Sequence, residues 1–164
     1  MKLFLYVLSL VGFLAGCGGG GVDSIADGDP SYVKVRESLR EASSRVLDGL
    51  RIRGSYQAED VFHVSGCESD SKEGGGKLWE AAHFWQIDEV NSGEVQSSID
   101  RLRDSLEAQG WTIVDFARPP QVKNTVVRAQ DPKAGYVVRV IGVQEKSRVA
   151  VRVSAPCFRA SGDS

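Results

Sequence analysis

The sequence has 164 residues, a formal net charge of −2, 41% hydrophobic residues and 26% charged residues. That is ordinary globular composition and enough chain for one domain with a real core. The balance lacks the basic footprint of a nucleic-acid binder, so no nucleic-acid partner is expected. Arginine outnumbers lysine, and Asn91 and Asn124 are the only asparagines, a bias that points to a GC-rich genome.

The chain begins MKLFLYVLSLVGFLAG. Lys2 supplies a leading cation, and Leu3 to Ala15 is uncharged and mostly apolar, interrupted only by Ser9 and Gly12. About 13 residues fall short of the roughly 20 needed to span a bilayer. The pattern therefore predicts a signal peptide over residues 1–16.

It ends in Leu14-Ala15-Gly16-Cys17. This resembles the lipobox of bacterial lipoproteins: a branched apolar residue, two small residues, then cysteine. The resemblance implies a diacylglyceryl group, with palmitate-type chains, on Cys17 and cleavage just before it. The mature protein would then sit at the cell membrane on its extracytoplasmic side, with the membrane as a partner through the anchor. The alternative is an ordinary signal peptide beside a chance cysteine. Two acyl chains hold a protein stably where one is marginal. Gly18 to Gly21 and the polar run to Gly28 make residues 17–28 a flexible tether. Beyond the lipobox the chain loosely resembles small actinobacterial lipoproteins, through Ser65-Gly66-Cys67, Gly110-Trp111 and Ser154-Ala155-Pro156-Cys157. No functional residue is carried over from that likeness.

A single domain is expected over residues 29–158, followed by a tail over 159–164. Asp29 and Pro30 suit the start of a helix. Tyr32, Val35, Leu39, Ala42, Val46 and Leu50 then give one apolar stripe at steps of three and four. Val61 to Val64 reads as a strand running to Cys67, and Gly66 to Lys77 as a polar loop. Leu78 to Val90 fits either a helical face or a strand whose one side carries Trp79, Ala81, His83, Trp85 and Ile87. The aromatic content favours the strand. Asn91 and Glu94 have capping-box spacing, Val95, Ile99, Leu102 and Leu106 form a second helical stripe, and Gly110 suits a left-handed terminator. Four strands follow: Trp111–Phe116, Thr125–Ala129, Tyr136–Val143 and Arg148–Ser154. The last two form a hairpin over Gln144–Ser147. Arg128, Arg139 and Arg152 inside these runs mark a wet sheet face. The order α-β-β-α-β-β-β-β predicts an α+β two-layer sandwich, an antiparallel sheet with both helices on one face.

With Cys17 assigned to lipid, Cys67 and Cys157 remain, and in an oxidising compartment they are expected to pair. Closing so long a loop stabilises by about 4–5 kcal/mol in the chain-entropy model. If the strands flanking the glycine loop pair about residue 73, His63 and His83 become cross-strand neighbours able to bind a metal or sense pH. Neighbours along a strand face opposite ways, so Phe84, with Leu78 and Ala82, is expected on the open face as a partner surface, and Trp85 in the core. No hydrolase, metalloprotease or phosphate-loop motif is present, and no cofactor is expected. Two functions remain: a non-enzymatic envelope module that binds a protein or ligand through its open sheet face, or an enzyme of no recognisable motif using His63 or His83.

Overall fold

A computed structural model describes residues 28–56, 61–67, 78–119 and 123–161. The signal, Cys17, the glycine tether and the Gly74–Gly76 loop lie outside these residues. Helix α1 spans Pro30–Leu50. The Asp29 carboxylate accepts from the amides of Ser31 and Tyr32, and Pro30 occupies the first turn, where no amide is needed. Leu39, Ala42, Val46 and Leu50 of the stripe are fully buried. The helix ends at Arg51 in the left-handed region (φ 46°), not at a glycine. The Arg101 guanidinium donates to the carbonyls of Leu50 and Arg51, so the second helix closes the end of the first.

Helix α2 spans Ser92–Ala108. Asn91 caps it through the Gly93 amide, while the Glu94 amide goes to the Asn91 carbonyl, so the reciprocal box is replaced by a simpler cap. At the other end Gly110 (φ 85°) donates to the Glu107 carbonyl and Trp111 to the Leu106 carbonyl. These are the two bonds of a Schellman terminator, which needs positive φ at Gly110.

The strands are β1 (Ser55–Tyr56), β2 (Val61–Gly66), β3 (Leu78–Asp88), β4 (Thr112–Ala117), β5 (Asn124–Gln130), β6 (Val137–Val143), β7 (Arg148–Ser154) and β8 (Phe158–Arg159). All pairings are antiparallel, in the order β1-β3-β7-β6-β5-β4, with β2 and β8 also on β3. Both β2 and β7 pair with Ala82–Phe84, so they flank β3 on opposite sides. Trp79 pairs with Gly66 on one side and Phe158 on the other, so β8 resumes the course of β7 after the break at Ala155–Cys157. The two short strands thus extend the six expected runs. The C-terminal boundary moves outward: Arg159 pairs in β8, and the Ser161 amide donates to the Asp29 carboxylate.

Both helices lie on one face, giving the expected α+β sandwich. Ala81 and Ile87 of β3, Val149, Val151 and Val153 of β7, Val138 and Val140 of β6, and Val127 of β5 form its floor. Gly142 is a close-approach position: a β-carbon there would meet Val95 at 2.7 Å, and Ile99 as well, so its absence sets how near β6 comes to α2. Cys67 and Cys157 are joined, with Cα atoms 6.4 Å apart. They belong to the segments flanking the start of β3, and the bridge ties those two segments together. No helix among the described residues is long and apolar enough to cross a membrane.

Candidate functional site

The two histidines do not meet. In the observed register His63 stands opposite Ala82, and Phe62 opposite His83. The pairing is one residue away from the expected one, and a one-residue slip moves a side chain to the other face. His83 points under α1, is 7% exposed, stacks on Phe62 at 4.4 Å and shares a 2.7 Å hydrogen bond with Ser43. His63 lies on the opposite, helix-free side. The two-histidine metal site is thereby overturned, and the described residues hold no cluster of three or more His, Cys, Asp or Glu side chains suited to a metal.

Trp79, Ala81, His83 and Ile87 are buried on the helix side, with Trp85 half-buried beside them against the core. Phe84 and Ala82 lie on the other side, yet neither forms an open aromatic platform. The Arg152 guanidinium sits 5.2 Å above the Phe84 ring, and Ala82 is only 2% exposed. Leu78 is half-buried and paired with Arg159 of β8. Of the apolar partner surface expected at Phe84, Leu78 and Ala82, Ala82 is buried, Leu78 and Phe84 are half-buried, and a guanidinium lies over the Phe84 ring.

That charge has a definite arrangement. Arg128 stands opposite Arg139, Arg139 opposite Arg152, and Arg152 opposite Phe84, while Asp115 lies opposite Arg128. Three guanidinium side chains thus form a straight row across β5, β6 and β7. They line a groove of about 580 Å³ bounded by Glu80, Asp115 and Ser154. Arg152 is held in place: it donates to Glu80 at 3.0 Å and to Ser154 at 2.9 Å. Among the described residues neither Arg128 nor Arg139 has an ion pair, and both are exposed. Like charges directly opposite each other are unfavourable in a sheet, so this row is costly to the fold taken alone.

The row was legible in part. Arg128 and Arg139 stand three residues either side of the Asp131–Tyr136 pair that closes one turn, and Arg139 and Arg152 stand five either side of the Gln144–Ser147 pair that closes the next. Symmetry about two short turns brings all three together, whereas reading them only as a wet face does not.

At the sheet's far end Asp88 accepts from Arg148 at 2.6 Å and from Gln86 at 2.7 Å, and these two bonds, the arginine's first, hold its carboxyl below the usual range. At the start of α1, partial desolvation pushes the Asp29 carboxyl up, but hydrogen bonds from Ser161, Tyr32 and Ser31 together bring it below the usual range. Compared with protein-family models, with curated proteins and with solved structures, the chain matches none.

Proposed function

We propose that the protein is a membrane-anchored extracytoplasmic lipoprotein whose folded domain is a non-enzymatic binding module of the cell envelope. Cys17 carries the lipid, residues 18–28 form the leash, and the helix-free sheet face is the contact surface. The single observation that supports the binding role is the groove with its arginine row, two of whose members, Arg128 and Arg139, have no ion pair among the described residues. Of the two histidines that an enzyme of this sequence would draw on, His83 lies beneath α1 with its Nδ1 bonded to Ser43, and His63 stands exposed on the helix-free side opposite Ala82. Two acyl chains give an anchor that one chain does not.

Replacing Cys17 by Ala tests the anchoring. In cells fed a labelled fatty acid, the wild-type chain takes up label and the Cys17→Ala chain takes up none and is either left uncut or released. Persistent acyl label on the variant would overturn the lipoprotein reading. Chemical cross-linking of the anchored protein in intact cells, with wild type compared against Arg139→Gln, tests the contact surface. Cross-linked products identical in the two would move the surface elsewhere.

A further inference from the structure

We infer that the arginine groove takes the phosphate headgroup of an anionic lipid in the membrane that bears the chain. The inference rests on the anchoring proposed for Cys17, and deepens it by naming what the open face meets.

The chemistry starts with the unpaired guanidinium groups. Arginine presents a planar fork of donors matched to the paired oxygens of a phosphate or carboxylate. Arg128 and Arg139 are adjacent across β5 and β6, exposed, and without an ion pair among the described residues. Their β-carbons are about 5 Å apart, so two forks can close on one tetrahedral oxyanion, which would also relieve their mutual repulsion. Arg152, fixed by Glu80, Ser154 and Phe84, forms the rigid wall beside them.

The size of the cationic stretch limits the ligand. Three neighbouring strands span about 10 Å. Asp115 ends the row at one side, and Phe84 with Glu80 ends it at the other. A long polyanion laid along the row would run onto Asp115, whereas a single headgroup fits between the ends.

One flank of the row is apolar. One step along the strands, Ala150, Ile141, Val126 and Ala117 stand in register across β7, β6, β5 and β4, all half-buried. On the other flank Val137 stands in register between Gln130 and Ser154, and Ala155 and Pro156 line the groove beside it. An oxyanion site bordered on one flank by an apolar row suits an amphiphile better than a free inorganic anion.

Placement completes the argument. The groove reaches Ala155–Cys157, and β8 begins immediately after. Ser161, just beyond β8, is bonded to Asp29, the residue from which the leash departs. Cys17 lies twelve positions before Asp29, at most about 40 Å of extended chain. The tether therefore leaves from the same end of the sheet as the groove's rim, which keeps the arginines within reach of the lipid surface.

The test uses the intact mature protein, with the acyl group on Cys17 first verified by mass. It is reconstituted into lipid nanodiscs of phosphatidylcholine alone or of phosphatidylcholine mixed with phosphatidylglycerol, and treated with phenylglyoxal. Peptide masses then report modification of each arginine. Arg128 and Arg139 should react several-fold more slowly in the anionic discs, while exposed Arg45 on α1 reacts equally in both. Equal rates at Arg128 and Arg139 would overturn the proposal. In a second arm the same protein in nonionic micelles is given short-chain phosphatidylglycerol, short-chain phosphatidylcholine or glycerol phosphate. Protection by the first alone is expected. Equal protection by glycerol phosphate would overturn the lipid source in favour of a soluble phosphate ester. Arg139→Gln, at an exposed position and expected to leave the circular dichroism unchanged, should abolish protection at Arg128. An unacylated Cys17 would sink the anchoring alone, because the micelle arm still decides what the groove binds.

Discussion

Ser43 and His83 share a 2.7 Å hydrogen bond across forty positions of sequence, joining the middle of α1 to the middle of β3 inside an otherwise apolar interface. Both residues are buried. Ser43→Ala deletes the Nδ1 partner while leaving the ring in place, and a buried polar atom that loses its partner costs about 1–3 kcal/mol. A lowered urea midpoint with unchanged groove protection is the expected result. An unchanged midpoint would show that the bond contributes nothing.

Trp85 and Phe84 separate stability from contact. Trp85 packs half-buried against the core, and its indole nitrogen is buried with no hydrogen-bond partner among the described residues. Trp85→Ala should therefore cost about 3 kcal/mol, the lower end for a core aromatic. Trp85→Phe should cost much less, because it keeps most of the ring and removes the unpartnered N–H. Phe84→Ala removes mainly a cation–π contact worth about 0.5–1 kcal/mol at exposed sites. Denaturation curves of the three variants should fall in that order.

The bridge between Cys67 and Cys157 closes a loop over 90 positions. Replacing both cysteines by serine should lower stability by about 4–5 kcal/mol on the chain-entropy account. Urea unfolding of the oxidised and the serine forms measures it. Peptide mapping without reductant should recover the two cysteines in one cross-linked fragment.

Gly142 tests the seat of α2 on the sheet. Alanine there drives a methyl group into Val95 and Ile99, and overpacking of this kind costs about 1–3 kcal/mol. A second change, Ile99→Val, should recover part of the loss by clearing space. No recovery would place the strain elsewhere.

Acid should weaken the domain through Asp29 and Asp88. Hydrogen bonds from their neighbours hold both carboxyls below the usual aspartate value of 3.8. A depressed folded-state pKa means that the folded state favours the charged form, so its contribution is present above the unfolded value. It is lost as pH falls below 3.8 towards the lower folded values. Stability measured from neutral pH down through that window should decline less in Asp88→Asn than in wild type, since the variant has already lost the charge that Arg148 and Gln86 hold.

Both helices and the six main strands could be read from residue type and spacing, because each buries one stripe or one face and the pattern repeats along the element. Two-residue strands such as Ser55–Tyr56 and Phe158–Arg159 carry no period, and only their pairing with β3 reveals them. Register across the long loop was the weaker point. His63 and His83 are separated by a polar stretch whose length does not fix the pairing, and a shift of one residue sent them to opposite faces. The arginine row depends on short turns, where Asp131 accepts from the amides of Lys133 and Ala134 and fixes the geometry. The covering of Phe84 could not be foreseen, because it comes from a side chain 68 positions later, as Arg152 and Phe84 meet only through the β3–β7 register.

The strand that joins β3 to the rest of the sheet, β7, arrives late. Any chain delivered N-terminus first, from the ribosome or through a membrane pore, presents α1, β2, β3 and α2 long before β7 exists. Ala82 cannot find Ser154, nor Ile87 find Val149, until nearly the whole sequence is out. Through most of its delivery the domain therefore lacks the strand that joins β3 to the β4–β5–β6 half of the sheet. Closure comes as a late event, when β7 slots between β3 and β6, Cys157 reaches Cys67, and Ser161 reaches back to Asp29.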